Sequence, residues 1–210
     1  MTAYIFLAGE IENYDFLHEY AISSGTIICA DGGYSHTEKL RISPDYIIGD
    51  MDSIEEGIFP AESKIIRYST DKDYTDGQLA VKLAAEIGCD KIMIFGALNK
   101  GYRGRFDHVL GNIYLLKYAQ SLGVTASIAE ADCEIILIDK FAELERRNFK
   151  YISFLPLSPI VSGITLTGVK YPLNKSQITQ SDFQTMSNEF AGDIATVGVE
   201  KGELLCVVVA

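Results

Sequence analysis

The chain has 210 residues, 48% apolar and 22% charged, with 29 acidic against 18 basic residues for a formal net charge of −11. That length allows one large or two small domains, and the apolar share supports a packed core, which excludes a disordered or collagen-like chain. A surface this acidic argues against nucleic acid as a partner, and no apolar run reaches the roughly 18 residues that a membrane helix needs.

The opening stretch, Met1 to Glu10, has no basic residue before its apolar run. It reads as a strand over Tyr4–Ala8 rather than a signal peptide. Apolar spacing at Phe16, Leu17, Tyr20 and Ala21 predicts a helix within Tyr14–Ser23. The β-branched run Thr26–Ala30 predicts a strand that breaks at Asp31-Gly32-Gly33, with a short helix over Tyr34–Leu40. Tyr46–Ile48 and Lys64–Tyr68 are further strands. Thr75–Ile87 carries Leu79, Ala80, Leu83, Ala84 and Ile87 on one helical face, and Gly88 stops it. The strand Lys91–Phe95, the helix Phe106–Leu122 and the strands Thr125–Ala129 and Glu134–Ile138 follow. Strands alternating with helices imply βαβ units and a mostly parallel sheet.

The last third changes character. Tyr151–Leu155, Gly163–Val169, Ile194–Val199 and Leu204–Val209 are short runs separated by Pro, Gly, Ser and Asn, and Lys201-Gly202 has the look of a hairpin turn. The reading is therefore an α/β N-terminal domain over 1–139, with a mostly parallel sheet, followed by a small all-β sandwich over 140–210. Cys29, Cys89, Cys133 and Cys206 form no CxxC pair and read as buried reduced thiols of a cytoplasmic protein. The spacing of His18, His36 and His108 argues against zinc, and His18 and His36 read as surface residues.

Four polar clusters each follow a predicted strand: Asp31-Gly32-Gly33; Gly49-Asp50-Met51-Asp52-Ser53; Asp71-Lys72-Asp73-Tyr74-Thr75-Asp76; and Arg103-Gly104-Arg105-Phe106-Asp107-His108. In a parallel sheet the C-terminal strand ends share one edge, so the four converge on one crevice. Asp50 with Asp52, and Asp71 with Asp73, are spaced two apart and face the same way if extended. Between Asp45 and Asp76 nine acidic residues stand against three basic ones. So many carboxylates in one crevice need a hard divalent cation, and magnesium usually shares carboxylates with substrate phosphates. Lys72, Arg103, Arg105 and the start of the second long helix supply phosphate donors. Neither GxxxxGK[ST] nor GxGxxG occurs. Each cluster alone has a plainer reading: DxD pairs occur in solvated loops, and Asp76 suits a helix cap as well as a ligand.

In order and spacing, Asp31-Gly32-Gly33, Gly49-Asp50-Met51-Asp52-Ser53, Asp71-Lys72-Asp73-Tyr74-Thr75-Asp76 and Gly104-Arg105-Phe106-Asp107-His108 resemble the thiamine pyrophosphokinase family. Ser187-Asn188-Glu189 resembles that family's thiamine-side segment. The resemblance implies transfer of pyrophosphate from ATP to the thiamine hydroxyl, giving thiamine diphosphate and AMP with Mg2+. It also implies a homodimer whose active site lies at the subunit interface. It places Asp50, Asp52, Asp71 and Asp73 at metal and phosphate positions, with Asp71, Asp73, Arg105 and Asp107 as catalytic candidates. Asp31, Ser53, Lys72, Thr75, Asp76, Gln78, Arg103 and His108 fall on the nucleotide side, and Ser187 and Asn188 on the thiamine side. Some members place a Trp near thiamine. This chain has none, which leaves Tyr171 and Phe190 as candidate platforms. A magnesium-dependent kinase or phosphohydrolase acting on another small substrate, and a non-catalytic thiamine or nucleotide sensor, are the alternatives.

Overall fold

A computed structural model describes residues 1–50, 59–69, 73–98 and 105–210. The chain forms two compact units, Met1–Ala131 and Asp132–Ala210. The division falls before the boundary expected near Asp139.

The first unit is built on strands β1 (Thr2–Phe6), β2 (Thr26–Ala30), β3 (Tyr46–Gly49), β4 (Lys64–Arg67), β5 (Lys91–Phe95) and β6 (Thr125–Ala129). All pairings among them are parallel, in the order β6-β5-β1-β2-β3-β4. The central strands are apolar at consecutive positions because both faces are covered. Ala3 to Phe6 and Ile92 to Phe95 are all buried. Each fully buried Phe or Ile contributes about 2 kcal/mol of hydrophobic stabilisation.

Among the described residues, three α-helices accompany this sheet: α1 (Tyr34–Leu40), α2 (Asp76–Glu86) and α3 (Phe106–Ser121). α2 buries Leu79, Ala80 and Ala84, the stripe its 3.6-residue period predicts. It packs closely on α3, since a Cβ at Gly77 would stand 3.0 Å from Leu115.

The helix expected within Tyr14–Ser23 is instead two short 3-10 turns, Asp15–Glu19 and Ile22–Ser24. Tyr20 is extended between them (φ −114°, ψ 135°). Phe16 and Tyr20 both set their rings edge-on to Phe95, with centroids 5.9 and 5.3 Å away. Anchoring both aromatics on the sheet overrides the local helical spacing.

The second unit is entirely strands: β7 (Cys133–Ile138), β8 (Phe141–Glu145), β9 (Tyr151–Pro156), β10 (Ile160–Thr167), β11 (Leu173–Thr179), β12 (Asn188–Glu189), β13 (Ile194–Gly198) and β14 (Leu204–Val209). They form two antiparallel layers, β12-β9-β14-β7 and β11-β10-β13-β8. Leu204, Cys206 and Val208 of β14 share a core with Val161, Ile164 and Leu166 of β10 and Val197 of β13. Alternate residues point inward, as in a sandwich.

Two readings change here. β7, read as a continuation of the α/β alternation, pairs antiparallel with β14 and belongs to this unit. Lys201-Gly202 is not a hairpin turn, because β13 and β14 lie in different sheets. The alternating pattern is the same for a hairpin and for a crossing between layers, so it does not separate them. Cys29, Cys89, Cys133 and Cys206 are all free thiols. Burial pushes the Cys29 thiol up to about 12.

Candidate active site

The strand order of the first unit turns at β1. From there the chain runs outward through β2, β3 and β4 on one side and through β5 and β6 on the other. A crevice must open beyond the C-terminal ends of the strands at such a switch point. A cavity of about 600 Å3 lies there, walled by Leu7–Gly9 after β1, Ala30 at the end of β2 and Asp31 after it, the start of α2, and α3 from Asp107 to Tyr118.

Small residues let these segments meet. A Cβ at Gly33 would fall 2.0 Å from the Phe6 carbonyl oxygen, so the Asp31–Gly33 turn closes on the end of β1 only with glycine there. Gly96, after β5, has φ +66°, and a Cβ there would sit 2.6 Å from the Leu7 carbonyl oxygen. Gly49 ends β3 against Asp31; a Cβ would meet the Asp31 Cβ at 3.1 Å. This places the adjoining Asp50 beside the Asp31 turn.

Asp31 is the most informative wall residue. Its backbone is left-handed at φ 46°, a conformation Asp tolerates better than most residues. Its Oδ1 is buried and has no hydrogen-bond partner among the described residues. A buried polar atom without a partner costs about 1–3 kcal/mol, so the arrangement suits an atom that receives a partner with substrate.

The entry to α2 is closed by a capping box. The Gln78 N–H donates to Thr75 Oγ1 (3.2 Å), and the Thr75 N–H donates to Gln78 Oε1 (3.0 Å). Thr75 is therefore the N-cap, and Asp76 is the first helical residue. Thr75, Asp76 and Gln78 all line the cavity.

At the entry to α3, Arg105 and Asp107 form a two-bond ion pair (Nη2 to Oδ2 2.6 Å, Nε to Oδ1 3.3 Å). The hydrogen bonds from Arg105 hold the Asp107 carboxyl below its ordinary range, and those bonds raise Arg105 in turn. Both side chains are exposed, so the pair adds little stability. It does keep an anion at the cavity wall, where Asp107 and His108 both stand.

Thus Asp31, Thr75, Asp76, Gln78, Asp107 and His108 come together in one cavity. Asp50 adjoins it through Gly49. Asp73 is exposed just before α2. Asp52, Ser53, Asp71, Lys72 and Arg103 lie outside the described residues. The motif search did not name Leu7–Gly9, Gly111, Asn112, Tyr114 or Tyr118, which also line the cavity. The signal for Gly111 was present: a glycine inside a strong helical pattern needs a local reason. His36, read as a surface residue, is only 3% exposed. Its Nε2 donates to the Gly9 carbonyl (2.9 Å), and Tyr14 O–H donates to its Nδ1 (2.7 Å).

In the second unit, Asn188 is 2% exposed. Its Oδ1 accepts from the Tyr171 N–H (3.0 Å) and its Nδ2 donates to the Tyr171 carbonyl (2.9 Å). Asn188 thus clips the Tyr171 backbone as a strand partner would. Ser187 is left-handed (φ 53°), and its N–H donates to Ser153 Oγ at 2.9 Å. Phe190 belongs to the core at 8% exposure, whereas Tyr171 is 58% exposed.

Comparison with known proteins decides the family. Residues 17–127 match the model "Thiamin pyrophosphokinase, catalytic domain", and residues 142–204 match "Thiamin pyrophosphokinase, vitamin B1 binding domain". The chain belongs to the thiamine pyrophosphokinase family. It is 34% identical over 192 residues to the thiamine pyrophosphokinase of Bacillus subtilis (strain 168), covering 89% of this chain and 84% of that protein. It is 27% identical over 191 residues to thiamine pyrophosphokinase 1 of Oryza sativa subsp. japonica, covering 77% and 70%. The solved Bacillus subtilis thiamine pyrophosphokinase superposes with a TM-score of 0.86 at 30% identity, over 100% of this chain and 99% of that one. The Geobacillus thermodenitrificans structure gives 0.83 at 26%, over 100% and 98%.

The chain is accordingly an enzyme that transfers pyrophosphate from ATP to thiamine. Thiamine pyrophosphokinases are kinases that generally need a metal. The acidic donor set here is hard oxygen, the type that suits magnesium, and the orphaned Asp31 oxygen fits a site completed by a charged ligand. No group of three metal-ligating side chains converges among the described residues.

Proposed function

We propose that the cavity at the β1–β5 switch point holds ATP, that Mg2+ is the metal, and that the second unit binds thiamine. The observation that carries the first statement is the buried Asp31 Oδ1, without a hydrogen-bond partner among the described residues, in a cavity also walled by two helix N-termini. The capping box satisfies part of the α2 start, whereas α3 has no side-chain cap; both starts offer a positive dipole end and N–H groups outside the helix ladder, which favours a polyphosphate.

In this reading the thiamine hydroxyl oxygen forms a bond to the β-phosphorus of ATP, the β-phosphorus bond to the AMP oxygen breaks, and the hydroxyl proton passes to Asp71 or Asp73. Asp50, Asp52, Asp71 and Asp73 would hold the metal. When bound, magnesium neutralises charge on the triphosphate. Arg105, kept oriented by Asp107, stabilises negative charge developing on the transferred group. Asp31, Ser53, Lys72, Thr75, Asp76, Gln78, Arg103 and His108 orient the nucleotide, and Ser187 and Asn188 shape the thiamine side. Among the two aromatic candidates, Tyr171 has the exposure a platform needs. The family resemblance supports a cytoplasmic homodimer with its active site at the subunit interface, which light scattering and cross-subunit complementation of inactive variants test. No helix among the described residues is long and apolar enough to cross a membrane.

Gly111 supplies a direct test of the ATP assignment. It lies in α3 and lines the cavity, and a Cβ there meets nothing within 4 Å. A side chain at 111 therefore starts into open space, and Gly111→Leu replaces the poorest non-proline helix former by a good one, which favours the helix by about 0.8 kcal/mol. The same side chain takes up cavity volume. The expected result is an unchanged or raised melting temperature with an ATP KM raised about tenfold or more. An unaltered ATP KM would place the nucleotide elsewhere.

A further inference from the structure

We propose that His36, remote from the reacting atoms, is a positioning residue that sets the β1-side wall of the cavity through the Gly9 carbonyl; this rests on the reading that the cavity holds ATP. The wall segment Leu7–Gly9 leaves the end of β1 with the Leu7 side chain buried and with no polar side chain of its own. Its polar ties come from the backbone. The Leu7 N–H donates to the Phe95 carbonyl and the Gly9 N–H to the Gly96 carbonyl, each at 2.9 Å. Those bonds tie one side of the segment to β5 and its turn. The Gly9 carbonyl is taken by His36 Nε2 at 2.9 Å.

A carbonyl only accepts, so Nε2 carries the proton. Nδ1 of the neutral ring is then an acceptor, which the Tyr14 hydroxyl fills at 2.7 Å. Tyr14 thereby fixes both the tautomer and the ring orientation. The imidazole is boxed between the Tyr14 and Phe6 rings, at 5.9 and 6.2 Å between centroids. Gly96 completes the box, since a Cβ there would lie 3.3 Å from Nε2. A chain of two hydrogen bonds, Tyr14 to His36 to Gly9, thus runs from the start of the N-terminal 3-10 segment to the cavity wall.

The test uses three variants of the full chain with separate kinetics for each substrate. An Asn amide reaches the Nδ1 position but not Gly9, whereas a Gln amide reaches the Nε2 position. His36→Asn is expected to raise the ATP KM about tenfold, while kcat and the thiamine KM stay within about twofold. His36→Gln is expected to restore the ATP KM to within about threefold of the parent. Tyr14→Phe keeps the imidazole and removes only the group that fixes its tautomer; an ATP KM raised about threefold is expected. An ATP KM at the parent value in folded His36→Asn overturns the proposal. So does equal impairment in His36→Gln, or an equal rise in both substrates' KM. If His36→Asn does not fold, Tyr14→Phe decides, and an unchanged ATP KM there overturns it. Gly111→Leu separates the two levels. If it weakens ATP while the His36 and Tyr14 variants do not, only the positioning role fails; if none of them affects ATP, the assignment of the cavity itself fails.

Discussion

The two units reach stability by opposite sequence patterns and expose their chemistry in opposite ways. In the first, β1 and β5 are apolar at consecutive positions because helices or loops cover both faces of a parallel sheet. Every loop that leaves a C-terminal strand end is forced to the same edge, and Asp31, Asp76, Asp107 and His108 meet there although they are far apart in sequence. In the second, β14 alternates Leu204, Cys206 and Val208 inward with less buried residues between, and antiparallel connections leave at both ends of the strands. Topology there names no single edge for polar residues. A polar residue such as Asn188 can be a strand-end clip as readily as a ligand contact.

The sharpest way to break that comparison is Asp31→Asn. Asn tolerates the left-handed backbone and has nearly the same volume, so the fold should survive. The charge is lost and one carboxylate oxygen becomes an NH2 donor. We expect AMP release to fall about a hundredfold with the melting temperature held or raised. A variant of parent activity would make Asp31 a turn residue and nothing more.

Asn188→Ala should act the other way round. It leaves the Tyr171 N–H and carbonyl without their partner in a site 2% exposed, at a cost of about 1–3 kcal/mol. Denaturant unfolding should record that loss, and any rise in thiamine KM should follow from Tyr171 losing its position. A stable variant with a raised thiamine KM would instead make Asn188 a direct contact, and the two units would then differ less than their topologies suggest.

The smallest expected effect is on pH dependence. Burial holds His36 below its ordinary pKa, reinforced by Lys39 and opposed by the backbone carbonyl of Gly9. The unfolded chain therefore binds this proton more readily than the folded one. The His36 contribution to stability is complete above the unfolded value of about 6.5 and declines as pH falls below it, until the lower folded value is passed. Melting temperatures of the parent and of His36→Gln at pH 7.5 and 5.5 check this. The parent should lose more than the variant on acidification, and equal losses would assign the acid sensitivity to other groups.

What was legible in the amino-acid sequence follows from local physics. The 3.6-residue stripe of α2, the consecutive apolar strands of the first unit and the change to short alternating runs after Phe141 each declare an element from its own neighbours. Polar clusters placed after strands declare an edge. That Asp31, Asp76 and Asp107 share one cavity was therefore readable as a common edge before any contact was known. Tertiary structure alone decided the rest. The helix within Tyr14–Ser23 gave way because Phe16 and Tyr20 found Phe95. The supposed hairpin at Lys201-Gly202 became a passage between sheets. Asn188 holds a backbone, and His36 went from surface to interior because its two ring nitrogens found Tyr14 and Gly9. All of these depend on partners brought close by folding, and hydrogen bonding acts over about 3 Å. Sequence spacing specifies which side chains share a face, whereas the identity of the atom opposite each polar group is set only when the strands and turns are in place.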